Sequence, residues 1–191
     1  RRPTWRRGGS SRSRSWPTGS TATITVGNLI LNGGITDMAV SGGDSLSVTL
    51  AGGINVTAAS ILGALGATAN NSISFETLNV TATISGAAGL TIAGTSNSGA
   101  NTGVVKLSAP NPYSGTVTVA TPGNGFVAST AHRLLQLNHL NALQNATLNL
   151  TSVANGVSFA AAANTGAFQV GALTASQSRW HCRISQPVPT T

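Results

Sequence analysis

Short runs in which apolar and polar residues alternate follow one another along most of the chain. In residues 21–26, 78–84 and 116–119 every second residue is apolar, and nearly all the others are Thr, Ser or Asn. This period of two is typical of strands with one buried face. Similar runs occupy residues 46–50, 54–57, 73–75, 90–92, 105–107, 146–150, 157–159 and 168–170. Gly-containing pairs such as Gly52-Gly53 and Ser85-Gly86 separate them, so the pattern predicts an all-β protein.

Two all-β architectures suit strands at this spacing, a sandwich and a β-solenoid. A sandwich usually has large aromatic residues in its core and charges on its outer faces, whereas this chain is 4% aromatic and 7% charged. Small, repetitive residues favour stacked coils in which like side chains form ladders. A coil of three short strands takes ~20–25 residues, so residues 19–176 would form about seven coils, about 34 Å long.

Three segments depart from the alternation. Residues 58–69 and 128–143 are rich in Ala or Leu without a clear period of two, and residues 160–163 are four alanines. We expect a short helical turn or a broad loop in the first two and leave the third open between the same alternatives.

The net charge of +7 comes from the ends of the chain. Six arginines lie in the first fourteen residues, and the three tryptophans and the one cysteine all lie outside 19–176. We expect residues 1–18 and 177–191 to be disordered, because Arg-, Ser- and Pro-rich segments bury too little apolar surface to offset their chain entropy. Two interpretations stay open: out-of-frame translation, or native basic tails that bind an acidic partner. The 19–176 body carries too few cations for specific nucleic-acid binding.

Residues 103–123 contain a motif with a Tyr-Ser-Gly centre flanked by two strands. It resembles the autotransporter-associated β-strand repeat. The residues that match the repeat most closely are Leu107, Asn111, Tyr113, Ser114, Gly115, Thr116 and Val119, whereas Ala109, Pro110 and Pro112 depart from it. Residues 141–150 are similar to the segment that follows in this family. The resemblance implies a right-handed parallel β-helix in the passenger part of a large exported protein, with adjacent repeats of the parent chain as neighbours.

The motif residues also have physical roles that do not depend on the family. Pro110 and Pro112 fix φ and remove ladder donors, so they predict a turn around Asn111. We expect the Tyr113 ring to cover the apolar edge of the coil with its hydroxyl in water. Gly115 would permit a tight approach into the strand that begins at Thr116. A ligand platform made by Tyr113 and Ser114 is the functional alternative.

The sequence offers little for catalysis or cofactor binding. Nucleophilic catalysis requires a nucleophile beside a His that a carboxylate orients, yet His132 and His139 lie far in sequence from Asp37, Asp44 and Glu76. We expect both histidines to be exposed in loops. Lys106 and Arg133 are the cations of the body. Metal-ligand spacing and phosphate-binding loops are absent, so we expect no catalytic, cofactor or metal site.

Three functional hypotheses follow. The first is a non-enzymatic structural or adhesin-like segment of a secreted or bacterial surface protein, with surface glycans as possible partners and no membrane span of its own. The second is glycan or ice binding through Thr-rich faces, although the Thr-x-Thr motifs recur at no constant sequence spacing. The third is a polysaccharide-degrading β-helix, which requires Asp37, Asp44 and Glu76 in one groove.

Overall fold

The computed structural model describes residues 21–38, 47–65, 77–95, 103–119, 134–150, 156–160 and 167–175. Within these ranges the chain forms thirteen strands and no helix. The strands are β1 Thr21–Asn32, β2 Ile35–Met38, β3 Ser47–Ala58, β4 Ser60–Leu65, β5 Thr77–Val80, β6 Thr83–Gly86, β7 Leu90–Thr95, β8 Val104–Leu107, β9 Thr116–Val119, β10 Leu135–Leu137, β11 Leu143–Leu150, β12 Val157–Phe159 and β13 Val170–Ala175.

All strand pairs are parallel and belong to two sheets. Sheet A has the order β1-β3-β5-β8-β10-β12, with β6 also paired to β3, and sheet B has the order β13-β11-β9-β7-β4-β2. The chain therefore visits sheet A, then sheet B, and returns to sheet A one strand further along. We call each such passage a level, and the described residues form six levels. This is a β-solenoid, as the sequence predicts.

Each level differs in detail from the predicted coil. Ser47 pairs with Thr77, 30 residues later, and Leu135 pairs with Val157, 22 residues later. The third level contains three short strands, β5, β6 and β7, as predicted, whereas each of the other levels contains two. The longer levels explain why six rather than seven are found in the described residues.

Apolar side chains from successive levels stack directly inside the solenoid. In sheet A, the register aligns Val48, Leu78, Val105, Leu135 and Val157 in one inward row. In sheet B it aligns Leu62, Ile92, Val119 and Leu150. Most members of these rows belong to one hydrophobic cluster, and the partly buried Val157 and Leu150 pack against it. A fully buried side chain of this kind contributes about 1.5–3 kcal/mol. The core is therefore a set of continuous apolar columns.

Most of the predicted strands are confirmed, several of them with different limits. Residues 78–84 form β5 and β6 rather than one strand, because the N–H groups of Thr81 and Ala82 both donate to the carbonyl of Leu50 and interrupt the ladder. Conversely, residues 47–50 and 54–57 lie in the single strand β3, which bends at Gly52, where φ is +106°. Residue 46 of the first predicted run lies outside the described residues. Residues 73–75 lie outside the described residues.

The expectation of helical turns or loops was wrong in two places. Within residues 58–69, Ser60–Leu65 forms β4, which pairs with β2 and β7. Within residues 128–143, Leu135–Leu137 forms β10 between β8 and β12. Hydrogen bonds to two neighbouring strands outweigh the weak helical preference of Ala and Leu. The expected strand at 168–170 is also displaced, since β13 begins only at Val170.

Candidate functional site

The repeat motif forms the corner between β8 and β9 in the fourth level. Residues 108–115 have no regular structure there, and the side chains of Pro110 and Pro112 are exposed, in agreement with the predicted turn. Leu107 and Val119, which flank the corner, point inward and are buried in the core. The corner is thus anchored on both sides by apolar residues of the columns.

Asn111 is a buried polar residue that connects three levels at this corner. Its side chain is 2% exposed. Asn111 Oδ1 accepts a hydrogen bond of 2.8 Å from the N–H of Ile84 in the third level. Its Nδ2 donates over 3.0 Å to the carbonyl of Ala142 in the fifth level. The side-chain amide of Asn111 thus acts as an acceptor for one neighbouring level and as a donor to the other. It provides hydrogen-bond partners for two backbone groups at a point where the fourth level has no strand.

Tyr113 is buried beside Asn111, and the expectation that its hydroxyl lies in water was wrong. The side chain is 1% exposed. Its hydroxyl donates to the carbonyl of Ala88, and the carbonyl of Thr116 lies 3.2 Å away. Burial raises the pKa of Tyr113 to about 12, although a backbone hydrogen bond with Leu90 opposes this shift. A buried ring cannot form a ligand platform.

Gly115 makes the burial of Tyr113 possible. A Cβ atom at this position would lie 2.5 Å from the carbonyl oxygen of Ala88 and 2.7 Å from Tyr113 Cζ. Any other residue would therefore displace the ring or the neighbouring level. The sequence predicts a tight approach into β9 at Gly115, whereas in the structure this glycine lies against the tyrosine ring.

Ser114 and Thr116 are the motif residues that face away from the core. The side chain of Ser114 is exposed, and its N–H donates over 3.0 Å to the carbonyl of Gly86 in the level below. Thr116 is half-buried on β9 and lies in register with Thr147. The corner therefore presents few polar groups of its own to a ligand.

The ionisable residues considered for catalysis are not brought together in the described residues. His139 is half-buried, and its Nδ1 accepts a hydrogen bond of 3.1 Å from the N–H of Asn141, so it belongs to a turn rather than to an exposed loop position. Lys106 lies in register between Asn79 and Gln136. Asp37 belongs to β2, and its side chain is not described. His132, Arg133, Asp44 and Glu76 lie outside the described residues.

A feature that the sequence did not reveal is a row of outward residues on sheet B. The strand register aligns Thr91 with Thr118, Thr118 with Asn149, and Asn149 with Thr174. Beside this row, Thr116 is aligned with Thr147. We call these residues the threonine rows. Their sequence separations are unequal, so only the pairing register shows that Thr116 and Thr118 of β9 lie beside Thr147 and Asn149 of β11.

Comparison with known proteins yields no match to a family model, a curated protein or a solved structure. In the part of the chain that the structure describes, no group of three or more His, Cys, Asp or Glu residues could hold a metal ion. That part also contains no helix long and apolar enough to cross a membrane.

Titration of Tyr113, the chain's one tyrosine, tests its burial. We expect phenolate absorbance of the folded protein to rise with a midpoint near pH 12, against the ordinary pKa of 10.0 for the chain in urea. Because the folded-state pKa is the higher one, the stabilisation is complete below about pH 10 and is lost as the pH rises through about 12. Equal midpoints for the folded and denatured chains would show that the hydroxyl is in water.

Proposed function

We propose that this chain is a non-enzymatic structural segment of a large exported repeat protein, displayed at a cell surface as a stalk or adhesin-like passenger. The observation that carries the proposal is the corner at residues 107–119, whose buried residues Asn111 and Tyr113 hold successive levels together. A motif whose buried side chains are used for stacking supports a scaffold role. The resemblance to autotransporter-associated repeats adds the surface location.

The outward faces support the same role. Successive strands of sheet A place Thr23, Thr49 and Asn79 side by side, and the next residue in this row is Lys106. Hydroxyl and amide groups are hydrated without adding charge, so such a surface is suited to projection into an aqueous, crowded exterior. No cofactor enters this proposal, because backbone pairing and apolar columns stabilise the fold.

Lys106 provides a direct test of surface display, because it is the only lysine in the chain and its side chain is half-exposed. Intact cells that produce the protein would be treated with a membrane-impermeant, amine-reactive biotin reagent. We expect the peptide containing Lys106 to be labelled to the same extent in intact and lysed cells.

A Lys106→Arg variant is the matched control, since it keeps the charge and removes the reactive amine. The peptide containing residue 106 should remain unlabelled in this variant. Labelling of Lys106 only after lysis, with a known surface protein labelled normally, would contradict display at the surface.

Binding of a glycan is the second candidate function, and the threonine rows favour it. Adjacent strands place hydroxyl or amide groups about 4.8 Å apart, so Thr91, Thr118 and Asn149 form a flat polar strip. An ice-binding surface needs the same side chain on each level, whereas the row contains Asn149. A strip of mixed donors and acceptors fits a polysaccharide better.

A glycan array on the purified protein tests this candidate, and a thermal-hysteresis measurement tests the ice-binding alternative. We expect binding to a glycan that Thr118→Val weakens at least tenfold, because the substitution removes a hydroxyl and keeps the shape. Thr49→Val, on the opposite sheet, should bind like the parent chain. A parent chain that binds no glycan on the array would remove this candidate and leave the scaffold proposal intact.

A further inference from the structure

Five Asn-x-Ser/Thr sequons occur in the chain, and the structure describes the asparagine of four of them. These four begin at Asn55, Asn79, Asn145 and Asn149, whereas Asn70 lies outside the described residues. This tripeptide accepts N-linked glycans in exported proteins when its asparagine lies on the surface. A chain rich in Asn and Thr contains the tripeptide by chance as well, so the structural setting of each asparagine has to distinguish them.

Asn145 lies in a bulge of β11. Leu143 pairs with Val170 of β13, and Thr147 pairs with Ala172, so four steps along β11 correspond to two along β13. On the other side of β11, the pairing with β9 begins only at Thr147. The side chain of Asn145, between these paired positions, is exposed. A bulge interrupts the ladder and changes the direction of a side chain, which here presents the amide to solvent.

The two groups that define the sequon lie on the same side of sheet B. Ala146 and Leu148 are buried in the core, so the residues that alternate with them, Asn145 and Thr147, are on the outward side. Thr147 is half-buried and Asn145 is exposed. An enzyme that approaches sheet B from outside can therefore contact the amide and the hydroxyl together.

The adjacent strand β13 leaves the bulge uncovered. Gly171 lies against its backbone, because a Cβ atom at this position would be 2.8 Å from the carbonyl carbon of Asn145 and 3.0 Å from the carbonyl oxygen of Ala146. The next residue, Ala172, has only a methyl side chain. Close backbone contact thus holds the bulge in place, and neither side chain position of β13 beside it is large enough to cover the amide.

The sequon at Asn79 is held within sheet A. Asn79 is half-buried, and its strand, β5, pairs with β3 on one side and β8 on the other. Asn79 Oδ1 accepts a hydrogen bond of 2.6 Å from Ser108 Oγ. Thr81 Oγ1, the hydroxyl of the same sequon, donates over 3.3 Å to the carbonyl of Leu50. Both recognition groups therefore already have partners within the protein.

The remaining two sequons are also set in paired strands. Asn55 is half-buried between β1 and β6, and Thr57 Oγ1 donates over 3.1 Å to the carbonyl of Leu31. Asn149 is half-buried between β9 and β13, and Thr151 of its sequon lies outside the described residues. An enzyme can reach these asparagines only if a paired strand opens locally, which costs free energy that the bulge does not require.

We propose that Asn145 is the acceptor of an N-linked glycan, transferred to the folded chain from a glycosyl diphosphate donor. Nδ2 of Asn145 forms a bond to the anomeric carbon of the sugar and loses one proton, while the bond from that carbon to the diphosphate oxygen breaks. The diphosphate leaves with the electron pair of that bond, and nothing is oxidised or reduced. The inference rests on the proposed function, because the glycan would be displayed on the outer side of an exported scaffold.

Transfer to the purified, folded full-length chain tests the proposal in two arms. One arm uses uridine diphosphate glucose and a soluble N-glycosyltransferase that recognises the sequon. The other uses a polyprenyl diphosphate oligosaccharide and a membrane oligosaccharyltransferase. Mass spectrometry with peptide fragmentation scores each asparagine separately. We expect modification of Asn145 in at least one arm, which identifies the donor, with an occupancy at least about tenfold above that of Asn55 and Asn79.

Synthetic peptides that contain each sequon with its flanking residues are the unfolded reference. In these peptides the preference for Asn145 should fall below about threefold, because all the asparagines are accessible. Thr147→Ser keeps the hydroxyl and should keep the modification of Asn145, whereas Thr147→Val keeps the shape of the side chain and should abolish it. Asn149→Gln should leave the modification of Asn145 unchanged. Circular dichroism checks that every variant retains its β-structure.

Three outcomes overturn the proposal. A folded chain that is unmodified at Asn145 in both arms means that the bulge does not present the sequon. Equal occupancy of Asn55, Asn79 and Asn145 in the folded chain means that the fold does not select the site. Modification that persists in Thr147→Val means that the sequon is not what is recognised. None of these outcomes depends on export, so the labelling of Lys106 on intact cells tests the proposed function separately.

Discussion

Parallel, in-register pairing between successive levels is the constraint on which this structure depends. A parallel strand can be placed beside its predecessor only if the chain travels around a full circuit and returns to the same register. When it does so, the inward residue of each level meets the inward residue of the next, as in the row from Val48 to Val157. The same alignment then provides both the hydrogen bonds between strands and the apolar contacts inside the solenoid. A shift of the pairing register by one residue would therefore disrupt both.

The corner at residues 108–115 is where this pairing is interrupted and side chains replace it. Asn111 joins Ile84 to Ala142 through its amide, and the hydroxyl of Tyr113 donates to the carbonyl of Ala88. These bonds satisfy backbone groups that would otherwise be buried without partners, at a cost of about 1–3 kcal/mol each. Gly115 is needed because no side chain fits beside the Tyr113 ring. The corner at residues 108–115 thus keeps successive levels bonded to one another where the strands are absent.

The fold class can be predicted from the sequence because a period of two is a local signal. The strands at 116–119 and 157–159 were predicted with the bounds that the structure has. β4 was missed, because its apolar residues follow no clear alternation and its hydrogen-bond partners in β2 and β7 lie far away in sequence. The burial of Tyr113 and the alignment of Thr118 with Asn149 were missed for a related reason. Both depend on which residues of other levels lie alongside, and levels of unequal length conceal this in the sequence.

The free energy of unfolding of Asn111→Ala, compared with that of Ser114→Ala, tests the central claim most directly. If the motif joins the levels, Asn111→Ala leaves the N–H of Ile84 and the carbonyl of Ala142 buried without a partner and destabilises the protein by about 2–4 kcal/mol. Ser114→Ala alters an exposed side chain in the same corner and should change the free energy by less than about 0.5 kcal/mol. Equal, small changes for both variants in urea denaturation would contradict the account.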